Sequence, residues 1–101
     1  MEYKYHVRQT ERFAEWYEGL RDSRVRRRVQ ARIDLLELGH SGDCKAIDFG
    51  VYEMRIHFGP GYRVYFMRRA KMVYLLLAGG DKRSQRRDIA AAIEMAKSEQ
   101  E

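Results

Sequence analysis

The stretch Val51-Tyr52-Glu53-Met54-Arg55-Ile56-His57-Phe58-Gly59-Pro60-Gly61-Tyr62-Arg63-Val64-Tyr65-Phe66-Met67-Arg68 decides the fold. Alternating side chains flank a Gly-Pro-Gly turn signal, the pattern of two antiparallel strands joined as a hairpin. In the first strand Tyr52, Met54, Ile56 and Phe58 share one face, while Glu53, Arg55 and His57 share the other. A three-residue loop at Gly59-Pro60-Gly61 sets Phe58 opposite Tyr62, Ile56 opposite Val64, His57 opposite Arg63 and Arg55 opposite Tyr65. Both strands then sort into an apolar core face and a polar face of Glu53, Arg55, His57, Arg63 and Tyr65.

Downstream, a short Ala70-Lys71 connection leads to a third strand from Met72 to Ala78, and Gly79-Gly80-Asp81-Lys82 ends the sheet. Ser84 can cap a last helix that buries Ile89, Ala92, Ile93 and Ala96, with a charged tail from Lys97 to Glu101 expected to fray. Upstream, Gly39 to Lys45 is a loop by composition. Before it, apolar residues recur at helical spacing twice: Phe13, Trp16, Tyr17 and Leu20 behind a Thr10 cap, then Val25, Val29, Ile33 and Leu36 after Asp22 or Ser23. Gly39 supplies a left-handed stop. Tyr3 to Val7 alternates as a short first strand. The predicted order is β-α-α-β-β-β-α. It describes an α+β fold in which a helical hairpin packs on a small twisted, mostly antiparallel sheet, one domain over residues 1–101.

Composition narrows the function classes. Of 101 residues, 45% are hydrophobic, enough for a core, so the 35% that are charged belong to a dense polar surface and not to disorder. The formal net charge is +5, with fifteen arginines against five lysines, which favours a polyanionic or acidic partner held by paired guanidinium hydrogen bonds. No apolar run approaches the roughly 18 residues of a membrane span, and the N-terminus lacks a signal peptide's apolar core, so a cytoplasmic location is expected. The single Cys44 sits between Asp43 and Lys45 in a polar loop. Neither it nor His6, His40 and His57 has companions at zinc-binding spacing. Walker, Rossmann and nucleophile-elbow motifs are missing, so neither a metal nor an organic cofactor is expected.

The polar hairpin face is where chemistry would reside. Arg55, His57, Arg63 and Tyr65, with Lys82 arriving from the neighbouring strand end, make a phosphate-sized set of donors. The plainer alternative is a salt-bridged sheet surface in which Glu53 holds Arg55 or another cation. Histidine's unperturbed pKa of about 6.5 makes His57 the first choice for a general base or acid, ahead of Lys82 and Tyr65. Arg24, Arg26, Arg27, Arg28 and Arg32 line the outer side of the second helix. They grip a nucleic-acid backbone or an acidic partner, or form a solvated face. Arg83 and Arg86 extend the binding set beyond the sheet.

At Glu53-Met54-Arg55-Ile56, Gly61-Tyr62-Arg63-Val64-Tyr65-Phe66 and Leu75-Leu76-Leu77-Ala78-Gly79-Gly80-Asp81-Lys82 the sequence resembles the RelE/ParE toxin superfamily, and within it the HigB-like addiction module killer branch. The resemblance spans nearly the whole chain. It implies the toxin of a type II toxin-antitoxin system that either cleaves mRNA in the ribosomal A site or inhibits DNA gyrase or another protein by binding. The first is the leading expectation. It further implies a cognate antitoxin, acidic at the interface and often carrying a helix-turn-helix domain. Arg63 matches the arginine that faces the scissile phosphate, Arg55 a recurrent basic position, and Lys82 lies near a basic residue at the last strand end. Where ribosome-dependent members carry lysines before the hairpin, this chain has Val51 and Glu53. Their late tyrosine has no equivalent among Gln85, Arg86 and Arg87.

Overall fold

The computed structural model describes residues 4–99. In chain order the elements are β1 (His6–Gln9), α1 (Glu11–Glu18), α2 (Ser23–Glu37), β2 (Cys44–Ala46), β3 (Val51–Ile56), β4 (Tyr62–Ala70), β5 (Val73–Gly80), a 3-10 turn (Lys82–Ser84) and α3 (Gln85–Glu99). The five strands are ordered β1-β5-β4-β3-β2 and run antiparallel except for the β1–β5 edge pair. Helices α1 and α2 cover one face of the sheet and α3 the other, as an α+β fold. No helix among the described residues is long and apolar enough to cross a membrane.

The helical hairpin follows its sequence signals. The Thr10 hydroxyl accepts from the Phe13 N–H at 3.1 Å and donates to the Leu77 carbonyl at 2.7 Å, capping α1 and tying it to β5. Asp22 caps α2 by accepting from the Arg24 N–H at 2.9 Å. Val25, Val29, Ile33 and Leu36 are all buried, as their spacing predicts. Gly39 adopts a φ of +87°, and the Gly39 and His40 N–H groups close the helix end onto the Leu36 and Leu35 carbonyls.

These helical residues meet Met54, Ile56, Val64, Phe66 and Leu76 on one side of the sheet. On the other side Val51, Tyr65, Met67, Leu75 and Leu77 pack against Ala92 and Ala96 of α3. Each fully buried large apolar side chain stabilises the fold by about 1.5–3 kcal/mol. The β4–β5 register shifts at Tyr65/Phe66, and Leu77 and Ala78 both enter the core under α3. After that bulge, a Cβ on Gly79 would lie 2.1 Å from the Trp16 ring, and one on Gly80 would lie 1.9 Å from Asp88 Oδ2. The two glycines therefore belong to β5, one required by each face, where the sequence suggested the end of the sheet.

Other differences from the sequence expectation have local causes. Strand β1 starts at His6 because its parallel partner β5 offers pairing from Val73 onward; the expected start at Tyr3 lies outside the described residues. Cys44 is not in a loop but opens β2, three residues too short to show periodicity, and packs half-buried against the core. The hairpin register is displaced by two residues. Ile56 faces Tyr62, Arg55 faces Arg63 and Glu53 faces Tyr65, because the Phe58 N–H turns back to the Ile56 carbonyl and ends β3 early. His57 to Gly61 then form the connection, with Gly59 and Gly61 at positive φ. An even displacement keeps the paired side chains of β3 and β4 on their expected faces, whereas His57 and Phe58 leave the ladder. Asp81 caps the 3-10 turn before α3 begins, and Ser84 completes a capping box with it. Lys97 and Glu99 do not fray: Lys97 lies over the Phe49 ring and Glu99 pairs with Arg69 at 2.8 Å. Gln100 and Glu101, the rest of the expected tail, lie outside the described residues.

Candidate active site

Alternation on β3 and β4 aims Glu53, Arg55, Arg63 and Tyr65 at the α3 side of the sheet, beside the first residue of that helix. Arg55 and Arg63 are direct cross-strand partners, a like-charge pairing that disfavours the sheet unless an anion intervenes. Glu53 is that anion. Its side chain is 3% exposed, and the carboxylate lies 3.4 Å from Arg55 Nε and 3.5 Å from Arg63 Nε. It also accepts from the Tyr65 hydroxyl at 3.0 Å and from Gln85 Nε2 at 2.8 Å. Burial pushes the Glu53 carboxyl upward. The hydrogen bonds from Gln85, Tyr65 and Arg55 and the Arg63 charge outweigh it and hold the group below its ordinary range.

Two guanidiniums around one carboxylate leave one positive charge in excess. Arg63 is fixed by donation from Nη1 to the Gly61 carbonyl at 2.8 Å, and its side chain is only 15% exposed. Its buried Nε faces Glu53 without a hydrogen bond. Arg55, 35% exposed, opens the site to solvent. Such a pair can hold an oxyanion with little reorganisation.

Tyr65 does not suit the proton-transfer role expected of it. Its side chain is fully buried, and burial, followed by the Glu53 charge and hydrogen bond, raises its hydroxyl well above the usual range. The expected exposed polar face is thus half interior, because α3 closes over it. His57 lies beyond the end of β3, not opposite Arg63. Its exposed ring places Nε2 2.5 Å from Asp43 Oδ2, and that bond, with the Arg55 and Arg32 charges, lowers the Asp43 carboxyl. Asp43 comes from the loop before β2, fourteen residues from His57, so no local spacing could have revealed the pair. Lys82 is exposed two residues past Gly80, the β5 partner of Arg63.

The outer arginines divide in the same way. Arg32 is no free surface cation: it donates to the carbonyls of Arg55, Ser41 and Asp43, stapling α2 to β3 and to the loop that presents Asp43. Arg24 pairs with Asp22 at 2.9 Å, and Arg83 with Asp81 at 3.0 Å. Arg24 and Arg28 lie 5.6 and 4.3 Å over the ring of Phe58, which alternation assigned to the core and which packs partly buried against it. With Arg27 and Ala31 they line an open cleft of about 310 Å³. Arg86 is exposed in the first turn of α3.

An uncharacterized protein of Haemophilus influenzae is 38% identical over 86 residues, covering 85% of this chain and 87% of that protein. This chain belongs to its family. No protein-family model matches the sequence. In structure, the free state of an arginine-to-alanine double mutant of the E. coli toxin RelE superposes with a TM-score of 0.71, covering 91% of this chain and 97% of that one, at 20% identity. The intact E. coli RelBE toxin-antitoxin complex gives a TM-score of 0.59 over 76% of this chain and 95% of that one, also at 20% identity. The fold is that of RelE. Within this RelE fold, Glu53 and Gln85 are the residues whose part the sequence left open. Glu53 was visible as a salt-bridge partner, whereas Gln85 reaches it only because α3 returns across the sheet.

Proposed function

We propose that this chain is the toxin of a type II toxin-antitoxin pair, in the HigB-like branch of the RelE/ParE superfamily, and that it cleaves mRNA on the ribosome without a metal. The observation that carries the reading is the opposed Arg55–Arg63 pair, held with one positive charge in excess by a single buried carboxylate. The RelE fold and its occurrence in a toxin-antitoxin complex support the same class. In this mechanism a ribose 2′-hydroxyl attacks the adjacent phosphorus and the bond to the 5′ oxygen of the next nucleotide breaks. Arg63 and Arg55 stabilise the charge that develops on the phosphoryl oxygens. His57, oriented by Asp43, exchanges the proton. Glu53 positions the arginines; its carboxylate is too buried and too fully engaged to meet substrate.

The test is cleavage of mRNA on programmed ribosomes, followed by primer extension, beside a gyrase supercoiling assay. Wild type is expected to cut. A folded Arg63→Ala variant is expected to lose about 10²–10³-fold in rate, the usual effect of removing one oxyanion donor. His57→Gln should lose most activity together with the pH dependence of the single-turnover rate. Inhibition of supercoiling without cleavage, or full activity in Arg63→Ala, overturns the nuclease reading.

A further inference from the structure

The helical hairpin leaves part of its sheet face open. Tyr52 on β3 stands directly opposite Phe66 on β4, and Arg68, two residues further along β4, stands opposite Tyr74 on β5. All four therefore share one face. Their side chains, with Ser41 and Cys44, line a cleft of about 230 Å³. The buried Phe66 is its floor. Tyr52 stacks on it with centroids 5.6 Å apart and an interplanar angle of 21°, while Tyr74 meets it edge-on at 5.6 Å. Tyr52 is 39% exposed, so part of its ring is open to a ligand. Arg68 is anchored by donation from Nε and Nη2 to the Lys71 carbonyl, at the rim of the cleft.

We propose that this cleft binds one unpaired RNA base, with Arg68 taking an adjoining phosphate. Its volume falls below the roughly 300–1,000 Å³ of cavities for larger ligands and suits a single planar ring. Flat aromatic faces accept any base by stacking, and cross-strand aromatics on an open sheet are a recurrent way to hold single-stranded RNA. Among the described residues that line the cleft there is no carboxylate, and Arg68 supplies its cationic group. The site lies on the face opposite Arg55 and Arg63, so it does not depend on whether the chain cleaves RNA.

The test is fluorescence anisotropy of the full chain with labelled hexauridylate and hexaadenylate at fixed salt, with inorganic phosphate as competitor. Tyr52→Ala should weaken binding by about tenfold, the scale of one lost base stack, while Tyr52→Phe retains it; Arg68→Ala should weaken binding and lower its salt dependence, as the loss of one phosphate contact does. Inorganic phosphate should compete poorly, because stacking is lost to it. Arg63→Ala serves as the separate control. If it alone abolishes RNA binding while Tyr52→Ala and Arg68→Ala bind as wild type, the cleft proposal fails and the Arg55–Arg63 site survives. If those two variants keep RNA affinity but lose affinity for a hexaglutamate peptide, the cleft serves a protein partner and the proposal is overturned.

Discussion

Glu53 gathers the strongest conflicts of the molecule into one place: a buried charge, two opposed arginines and a buried tyrosine hydroxyl. Removing its charge while keeping its shape isolates that role. Because the folded chain holds the carboxyl below its ordinary range, the unfolded chain takes up the proton first as pH falls. The stabilisation from Glu53 is therefore complete above the ordinary glutamate pKa of about 4.3 and is lost as pH drops through the lower folded-state value. Glu53→Gln should destabilise the protein at pH 7 by about 1.5–3 kcal/mol, the size of hydrogen bonds to a charged group. Below about pH 4 the difference from wild type should shrink. Urea unfolding at both pH values measures it, and a gap independent of pH would show that the ionisation of Glu53 does not contribute to stability.

At the level of elements, β5 ends where helices from both faces press closest. Gly79 touches the Trp16 ring from α1, so Gly79→Ala should force that ring to shift and cost about 1–3 kcal/mol, the scale of core overpacking. An unchanged urea midpoint would mean that Trp16 moves freely. The same region shows what sequence can and cannot carry. Helices α1 and α2 were legible because caps and apolar spacing are local: Thr10, Asp22 and Gly39 act within a turn of themselves. The pairing of Arg55 with Arg63 was not, because the loop length depends on where the Phe58 N–H turns back. Faces survived the misplaced register because the shift was even. Strand β2 and the Asp43–His57 pair were invisible for another reason. Each depends on the long-range meeting of segments that the β2–β3 ladder, the Arg55 N–H to Asp43 carbonyl bond and Arg32, reaching from α2 to Ser41, Asp43 and Arg55, fasten together.

Across the whole molecule, the excess behind a charge of +5 is gathered on more than one surface. Arg24, Arg27 and Arg28 gather around Phe58 on α2, while Arg83 and Arg86 flank the start of α3. Under the toxin reading proposed above, such a chain is held inactive during normal growth by an antitoxin, and these arginines predict acidic side chains on the antitoxin surface that meets them. Charge complementarity of that kind accelerates encounter more than it tightens the final complex. Raising salt from about 0.1 to 1 M shortens the screening length from about 10 to 3 Å. The association rate should then fall by about tenfold or more, with a much smaller change in dissociation. The partner is to be found by co-expressing each neighbouring gene with this one and looking for a copurifying protein that restores growth; stopped-flow mixing then gives the salt dependence. A partner whose association rate ignores salt would remove the arginines from the interface. If no neighbour binds or rescues, and overexpression of the chain alone is harmless, the RelE fold here serves a binding module and not a toxin.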